Sequence, residues 1–430
     1  MRLIFKIILV SYTFVPVFNE QSSFMKKALA LYFNAFKGLS RESWMLSLVM
    51  LINRTGGMVI PFLTVYLTSV LGFETDQAGL AMSCFGMGSL LGSIIGGWLT
   101  DKYGAFHIQF FTLLFASPLF FLLATLTSPW AIYTTIFIMS TIYEGFRPAN
   151  SAAITSYAKK GNITRSFSLN RLAVNLGFSI GPALGGLLAT FSYAWLFYGN
   201  GFAVFATAIV FFVYFHKRKP RRNFELTLND KSGSDNVTSP YRDKWYIVFS
   251  LICFLFACIF FQLISILPLF YSQALHFSQG DIGILLGFNG LFVVLTEMIL
   301  VSTLEKRMNI YGILVLGTIF LAASYCWLLI DTSFISCLIA MSLLSLSEIL
   351  VLPFMSTVAA KRSTTKNRGA YMGLNGLSIS AAFIVMPYLA TLFIEEYSFA
   401  YLWIINVGIL VLTMLGFSYL KGRMILSDEE

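Results

Sequence analysis

Five charged residues lie in otherwise apolar stretches of the 430-residue sequence: Glu144, Glu297, Glu348, Arg54 and Arg147. A carboxyl group buried beside a guanidinium can bind and release a proton near neutral pH, whereas arginine stays charged. Glu144 and Glu348 are therefore the first candidates for proton coupling. Arg54 and Arg147 would set their proton affinity or contact an anionic substrate. Glu297 is a further proton-coupling candidate, with helix packing as the alternative role.

Glu144 and Arg147 are three residues apart in the stretch STIYEGFRPANSAA, residues 140–153. In a helix this spacing places both side chains on one face. Pro148 cannot donate a backbone hydrogen bond to the Glu144 carbonyl, so we expect a kink and a free acceptor there. A charge at mid-bilayer costs at least about 2.5–3.5 kcal/mol, and the charges kept there usually face a cavity. The alternative is an internal ion pair that only fastens helices.

Transmembrane helices are the elements that must position these charges. The sequence is 57% hydrophobic and 11% charged, against about a quarter charged in soluble proteins. A helix of about twenty apolar residues crosses a bilayer. The sequence predicts twelve such spans, numbered 1 to 12, at residues 44–70, 77–99, 106–126, 130–156, 167–191, 194–215, 245–271, 282–304, 310–330, 334–360, 369–394 and 399–420. The predicted fold class is therefore an all-α integral membrane protein.

Basic residues indicate the orientation, because Lys and Arg near span ends stay on the cytoplasmic side. The connections after even-numbered spans contain Lys and Arg, and those after odd-numbered spans contain neither. Both termini are therefore predicted to be cytoplasmic. The net charge of +9 follows from this asymmetry, helped by attraction to anionic lipid, so no nucleic-acid partner is expected.

A polar stretch at residues 217–243 separates six spans from six and predicts a cytoplasmic linker. The predicted domains are an N-terminal extension with an amphipathic segment (1–43), a six-helix bundle (44–216), the linker (217–243), a second six-helix bundle (244–421) and a C-terminal tail (422–430). Residues 1–24 start like a signal peptide but lack its cleavage pattern. Translation from Met25 is the alternative.

The two halves contain a weak internal repeat. At an offset of 205 residues the sequence aligns Asn170, Phe178 and Pro182 with Asn375, Phe383 and Pro387. At an offset of 204 it aligns Gly79, Gly86, Asp101 and Lys102 with Gly283, Gly290, Glu305 and Lys306. Parallel repeats of this kind are a transporter architecture in which the substrate site lies midway between the halves.

The stretch GGWLTDKYGAFHIQ, residues 96–109, ends span 2. It resembles the loop motif of the major facilitator superfamily, with five positions in place: Gly97, Leu99, Asp101, Lys102 and Gly104. In that family the loop is an inner-gate latch that stabilises the outward-open state. Ala105 and Phe106 stand where the family has basic residues, which predicts a weaker latch.

Span 5 contains a second motif, formed by Gly177, Gly181, Pro182, Gly185 and Gly186. It resembles a motif found chiefly in proton-coupled drug exporters of the same superfamily, the 12-helix drug:H+ antiporters. Glycines let helices approach closely, and a proline bends the helix. The alternative is that these small residues only allow two transmembrane helices to pack tightly, as they can in any membrane-protein family. The resemblance implies twelve helices in two pseudo-symmetric six-helix bundles.

The resemblance implies a secondary transporter of the bacterial inner membrane, a monomer whose partners are a small-molecule substrate, protons and lipid. The favoured activity is proton-coupled export of an amphipathic drug or metabolite by alternating access. The first alternative is a proton-coupled importer of a nutrient, peptide or metal chelate. A membrane-embedded enzyme or sensor is the distant alternative. The sequence shows no metal-ligand spacing and no nucleotide-binding loop, so no enzyme activity, metal or cofactor is expected.

Overall fold

The computed structural model describes residues 38–159, 162–218, 239–363 and 367–424. Within these ranges the chain forms helices and no strand, which confirms the predicted all-α class. Eleven stretches of the described chain are long and apolar enough to cross a membrane. Most of the predicted extension, linker and tail lies outside the described residues, so the predicted domain bounds stay predictions.

Nine of the predicted spans are single helices in the described chain. In order, spans 2, 3, 5, 6, 8, 9, 10, 11 and 12 are Thr75–Tyr103, Ala105–Leu123, Ile163–Phe191, Tyr193–Phe215, Gln279–Leu304, Ile310–Ile330, Phe334–Arg362, Arg368–Glu396 and Phe399–Leu420. A short 3-10 helix, Pro240–Arg242, precedes span 7.

Spans 1, 4 and 7 were each predicted as one stretch, and each consists of two helices. These are Arg41–Thr55 with Val59–Ser69, Pro129–Glu144 with Phe146–Tyr157, and Lys244–Phe260 with Gln262–Gln273. A kink beside Glu144 was expected in span 4, whereas the breaks in spans 1 and 7 were not predicted, because a break near the middle of a span leaves the apolar pattern intact. Backbone groups freed at such a break need partners when no water is present.

Polar side chains from neighbouring spans lie at two of these breaks. In span 1, the N–H groups of Met58 and Val59 donate to the Asn200 side-chain oxygen at 3.2 and 3.3 Å. In span 7, Gln262 directly follows the break and exchanges two amide hydrogen bonds with Asn406, at 3.0 and 2.8 Å. Asn200 lies in span 6 and Asn406 in span 12, so the arrangement recurs in the second half.

Two helix crossings join the first six spans to the last six, and they follow the same pattern. Span 2 crosses span 11, where a Cβ added to Gly79 would lie 2.8 Å from the Pro387 carbonyl oxygen. Span 8 crosses span 5, where a Cβ added to Gly283 would lie 2.8 Å from the Pro182 carbonyl oxygen. Only glycine allows backbones this close. The equivalent contacts are those that the sequence repeat aligns.

The halves pack most closely at one end of the bundle. We call the end that carries residues 103–105 and 216–218 the linker end, and the end that carries residues 70–74 and 274–278 the opposite end. Towards the opposite end, the Thr64 hydroxyl of span 1 donates to the Ser265 carbonyl of span 7 at 3.0 Å. Towards the linker end of span 11, a Cβ added to Gly373 or Gly376 would meet nothing within 4 Å. These two positions of span 11 are therefore not packed against the first half.

At the linker end, hydrogen bonds to Asp243 connect three spans of the second half. Its carboxylate accepts a hydrogen bond from the Arg362 guanidinium at 2.8 Å and one from the Tyr371 hydroxyl at 3.0 Å. It also caps span 7 by accepting from the Tyr246 N–H at 3.2 Å. Burial acts to raise the pKa of Asp243, but these three donors together hold that pKa below its usual value.

Candidate functional site

A cavity of about 240 Å³ lies between spans 5, 8 and 10. Its lining contains two carboxylates and one guanidinium among apolar and amide groups: Arg171, Asn175, Val293, Glu297, Glu348, Ile349, Leu352, Pro353 and Ser356. Span 5 belongs to the first six spans, and spans 8 and 10 belong to the last six. The cavity therefore lies between the halves, where transporters built from such repeats place the substrate.

Arg171 and Glu297 form an ion pair across the cavity, from span 5 to span 8. Asn175, one turn along span 5 from Arg171, donates a hydrogen bond to Glu297 Oε2 at 3.0 Å. The Glu297 side chain is 18% exposed, and that of Arg171 is 50% exposed. Glu297 was predicted either to couple protons or to pack helices, and the structure shows it joining the two halves.

Glu348 lies on the same cavity, near the middle of span 10. Its Oε2 accepts a hydrogen bond from the Asn289 side chain of span 8 at 3.0 Å. The same amide lies 2.9 Å from the Ser345 hydroxyl. Pro353 follows in span 10 and cannot donate to the Ile349 carbonyl, so a backbone acceptor beside the cavity lacks its helical partner. Glu348 thus has polar neighbours but, among the described residues, no cation at ion-pair distance.

The charges lining the cavity do not balance when both acids are ionised. Glu297 pairs with Arg171, whose guanidinium also interacts electrostatically with Glu348 at longer range, so one cation faces two carboxylates and the lining has an excess of one negative charge. A net charge in a partly buried site is costly. The cavity therefore favours uptake of one positive charge, either as a proton on Glu348 or as a cationic ligand beside it.

Glu144 and Arg147 lie elsewhere, at the break of span 4. Their charged atoms are 3.1 Å apart, with the Glu144 side chain 4% exposed and that of Arg147 59% exposed. The preceding Tyr143 donates from its hydroxyl to Asn53 of span 1 at 2.9 Å. Neither Glu144 nor Arg147 lines the cavity described above, and a role in coupling stays a prediction for both.

Arg54 lies against the glycine–proline motif of span 5. Its guanidinium carbon is 5.7 Å from the centre of the Phe178 ring, and its buried Nε has no hydrogen-bond partner among the described residues. A Cβ added to Gly177 would lie 2.5 Å from the Arg54 Cβ, and one added to Gly181 would lie 3.0 Å from the Arg54 carbonyl oxygen. Its predicted contact with substrate stays a prediction.

The remaining motif glycines divide between two neighbours. A Cβ added to Gly185 would lie 3.1 Å from the Met58 Cβ of span 1, whereas one added to Gly186 would lie 2.8 Å from the Gly283 Cα of span 8. The glycine–proline motif thus lets span 5 pack closely on span 1 and on span 8.

The loop motif lies at the linker end, at the turn between spans 2 and 3. Gly104 has a φ of 85° and closes the turn between spans 2 and 3. Lys102 lies 5.1 Å from the ring centres of both Trp98 and Tyr103. Asp101 is exposed and has no ion-pair partner within the described ranges. A Cβ added to Gly97 would approach only Pro148, at 3.9 Å. The predicted inner-gate role of these residues stays a prediction.

Sequence reasoning missed Arg171, Asn175 and Asn289. Arg171 lies eight residues after the start of span 5 at Ile163. A basic residue near a span end is readily assigned to the cytoplasmic charges that set orientation, and not to a binding site. The four-residue spacing of Arg171 and Asn175 was the signal available, because it places both side chains on one helix face. No sequence pattern distinguishes Asn289 as a site residue.

The sequence model of one protein family, the Major Facilitator Superfamily, matches residues 45–362 and 311–424 of the chain. A curated relative, "Uncharacterized MFS-type transporter YttB" of Bacillus subtilis (strain 168), is 26% identical over 393 residues, or 89% of this chain and 95% of that protein. The quinolone resistance protein NorA of Staphylococcus aureus (strain MRSA252) is 24% identical over 323 residues, or 72% of this chain and 77% of NorA.

A solved structure of similar fold is the peptide transporter POT in complex with sulfate. It superposes with a TM-score of 0.75 at 18% identity and covers 89% of this chain and 95% of the other. At this identity the likeness shows the fold alone. It confirms the predicted fold class of two pseudo-symmetric six-helix bundles.

Proposed function

Because the chain belongs to the major facilitator superfamily, we propose that it exports an amphipathic organic cation in exchange for protons. The single observation that carries this proposal is the unbalanced charge of the cavity between the halves. Glu297 is paired with Arg171, whereas Glu348 accepts a hydrogen bond from Asn289 and has no cation at ion-pair distance in the part of the chain that the structure describes. A proton and a cationic substrate would neutralise the same carboxylate, so each would displace the other. Competition for one site couples the two movements in opposite directions.

Glu348 is the proton carrier in this proposal, and Glu297 is a positioning residue. The apolar lining of Val293, Ile349 and Leu352 would bind the hydrophobic part of the substrate. Alternating access would carry the loaded cavity from one membrane side to the other. Glu144, with Arg147, is kept as a second proton-binding candidate because it is 4% exposed within a span.

The predicted topology and one relative support export as the direction in this proposal. With both termini in the cytoplasm, the linker end faces the cytoplasm, and the cavity lies on that side of the crossing. A cation would then bind from the cytoplasm and leave outward while protons enter. The relative NorA is named for quinolone resistance, and export of a drug would account for such a resistance in this proposal. The bacterial cytoplasmic membrane is the proposed location.

Proton-coupled import of an anionic substrate is the second candidate. Arg54 favours it, because its buried Nε has no hydrogen-bond partner among the described residues. The POT structure of similar fold belongs to a peptide transporter. In this alternative, Arg54 and Arg147 would bind the anion.

Purified protein in liposomes tests the proposal. Cationic, neutral and anionic amphiphiles are added in turn, and the proton flux is followed with a lumenal pH dye. We expect a lipophilic cation to drive protons in the opposite direction. Glu348→Gln should abolish gradient-driven exchange and keep part of the cation binding, whereas Glu396→Gln, at an exposed position near the opposite end, should behave like the parent protein.

Two results would contradict this proposal. A Glu348→Gln variant with the parent pH dependence would remove Glu348 from the mechanism, and the same assay on Glu144→Gln would then test the second candidate. Movement of protons together with an anion or peptide would establish the import alternative instead.

A further inference from the structure

The Arg171–Glu297 ion pair bridges the two halves beyond the glycine contacts of spans 5 and 8. The last of these glycine contacts is at Gly290, where an added Cβ would lie 2.6 Å from the Ser179 backbone nitrogen. Arg171 lies about 12 Å beyond Ser179 along its helix, and Glu297 about 11 Å beyond Gly290, from a rise of 1.5 Å per residue. The pair therefore lies about two helical turns from the glycine contact on both helices, at nearly equal distances.

This position differs from that of the other ion pairs described. Glu144–Arg147 lies within one span. Glu42–Arg218 and Asp243–Arg362 each join spans of the same half. A bond inside a half cannot respond to the angle between the halves. The Arg171–Glu297 pair can, because its two residues separate when the linker ends move apart.

The contacts of Glu297 stabilise the ion pair while the cavity is open. The Glu297 carboxylate also accepts the Asn175 amide hydrogen at 3.0 Å, so span 5 holds it with two side chains that are one turn apart. Breaking the pair would leave a carboxylate that is 18% exposed without its cation, which is unfavourable. Long, flexible arginine and glutamate side chains can span diverging helices, whereas the glycines of the crossing need direct contact.

We propose that Arg171 and Glu297 form a stop that limits how far the linker ends separate, and so sets the width of the cavity mouth. The inference rests on the proposed function only for its alternating access. A stop differs from a latch that favours the closed state. Removing a stop moves the open state itself to a wider separation. Removing a latch changes only how often an unchanged open state is populated.

Distance measurements between spin labels separate these cases. One label pair reports on the linker end, at His216→Cys and Met308→Cys, two exposed positions in different halves. A second pair reports on the opposite end, at Trp130→Cys and Ile330→Cys, which are 77% and 79% exposed. Both pairs are introduced after replacement of the five native cysteines. The samples contain no substrate and are held at one pH, so the outcome does not depend on proton or substrate coupling.

In Arg171→Gln and in Glu297→Gln, we expect the longest linker-end distance to increase by several ångströms while the opposite-end distances stay the same. The exchanged double variant Arg171→Glu with Glu297→Arg should return it towards the parent value. The use of two single variants keeps the test valid if one fails to fold. The stop is refuted if the longest linker-end distance stays the same in both, whether or not the populations change. Loss of proton exchange in Glu348→Gln with unchanged distances would bear on the proposed function alone.

Discussion

Gly186 lies where span 5 presses against span 8, and replacing it with alanine tests whether this crossing holds the present conformation. The added Cβ would lie 2.5 Å from the Gln279 carbonyl oxygen and 2.8 Å from the Gly283 Cα. Ordinary contacts of a Cβ begin near 3.4 Å, so the two backbones would have to separate by up to about 1 Å.

The expected free-energy change comes from overpacking. Overpacking a well-packed contact costs about 1–3 kcal/mol, whereas the helix propensity of alanine acts equally in both conformations and cancels. The low end of this range, a cost to the conformation packed at the opposite end of about 1 kcal/mol, gives the smallest expected effect. This corresponds to a decrease of about fivefold in its population relative to the alternative conformation.

The spin-label pair at Trp130 and Ile330 measures that population directly. Gly376→Ala is the matched control, because a Cβ at this glycine of span 11 would meet nothing within 4 Å. We expect Gly186→Ala to reduce the short-distance fraction at the opposite end and Gly376→Ala to leave it unchanged. Identical distance distributions in the two variants would refute the argument that glycine contact at the crossing sets the conformational balance.

Two further predictions concern stability. Asp243→Asn keeps a good helix cap but removes the charge that pairs with Arg362, and should lower the free energy of unfolding at neutral pH by about 1.5–3 kcal/mol. Because the pKa of Asp243 is held below its usual value, its stabilisation is present above the ordinary carboxyl pKa of about 4 and is lost as the pH falls through the lower folded-state pKa. Thermal unfolding from pH 7 to pH 3 should therefore show a smaller loss of Tm in Asp243→Asn than in the parent, and equal losses would contradict this account. Asn200→Ala removes the side-chain acceptor of the Val59 N–H and one of two acceptors of the Met58 N–H, which also donates to the Gly56 carbonyl at 2.7 Å. It should cost about 1–3 kcal/mol, with faster amide exchange chiefly at Val59. The control is Thr207→Val, since the Thr207 hydroxyl donates only to the Ala203 carbonyl of its own helix, and equal exchange rates at the break in both variants would count against the capping role of Asn200.

The spans could be predicted from the sequence because apolar length is a local property. The breaks in spans 1 and 7 could not, because the groups at them come from distant residues. Asn200 reaches the break in span 1 from span 6, and no pattern in the sequence near Asn200 predicts this contact. Gly56 and Gly57 were a local hint, but Phe261 at the break of span 7 offers none. The repeat was visible because equivalent glycines and prolines make the same contacts in both crossings.

The candidate site was only partly visible in the sequence. Glu297 and Glu348 stood out because a carboxylate within an apolar span is rare. Which cation faces them is a property of helix packing, and the spacing of Arg171 and Asn175 alone does not favour Arg171 over Arg54 or Arg147. The structure brings Arg171 to Glu297, and the proton-coupling roles of Glu144 and Glu348 stay predictions.

Span 4 has a consequence for how the protein is made. Of the twelve predicted spans, it is the one absent from the eleven described stretches that are long and apolar enough to cross a membrane. Its helices are short, 16 and 12 residues, and Glu144 and Arg147 flank their junction. A Cβ added to Gly96 of span 2 would lie 2.5 Å from the Gly145 Cα at that junction. Charged residues oppose insertion of an isolated helix. We therefore expect span 4 to pass from the translocon into the bilayer together with span 2, as a helix pair and not as a single helix.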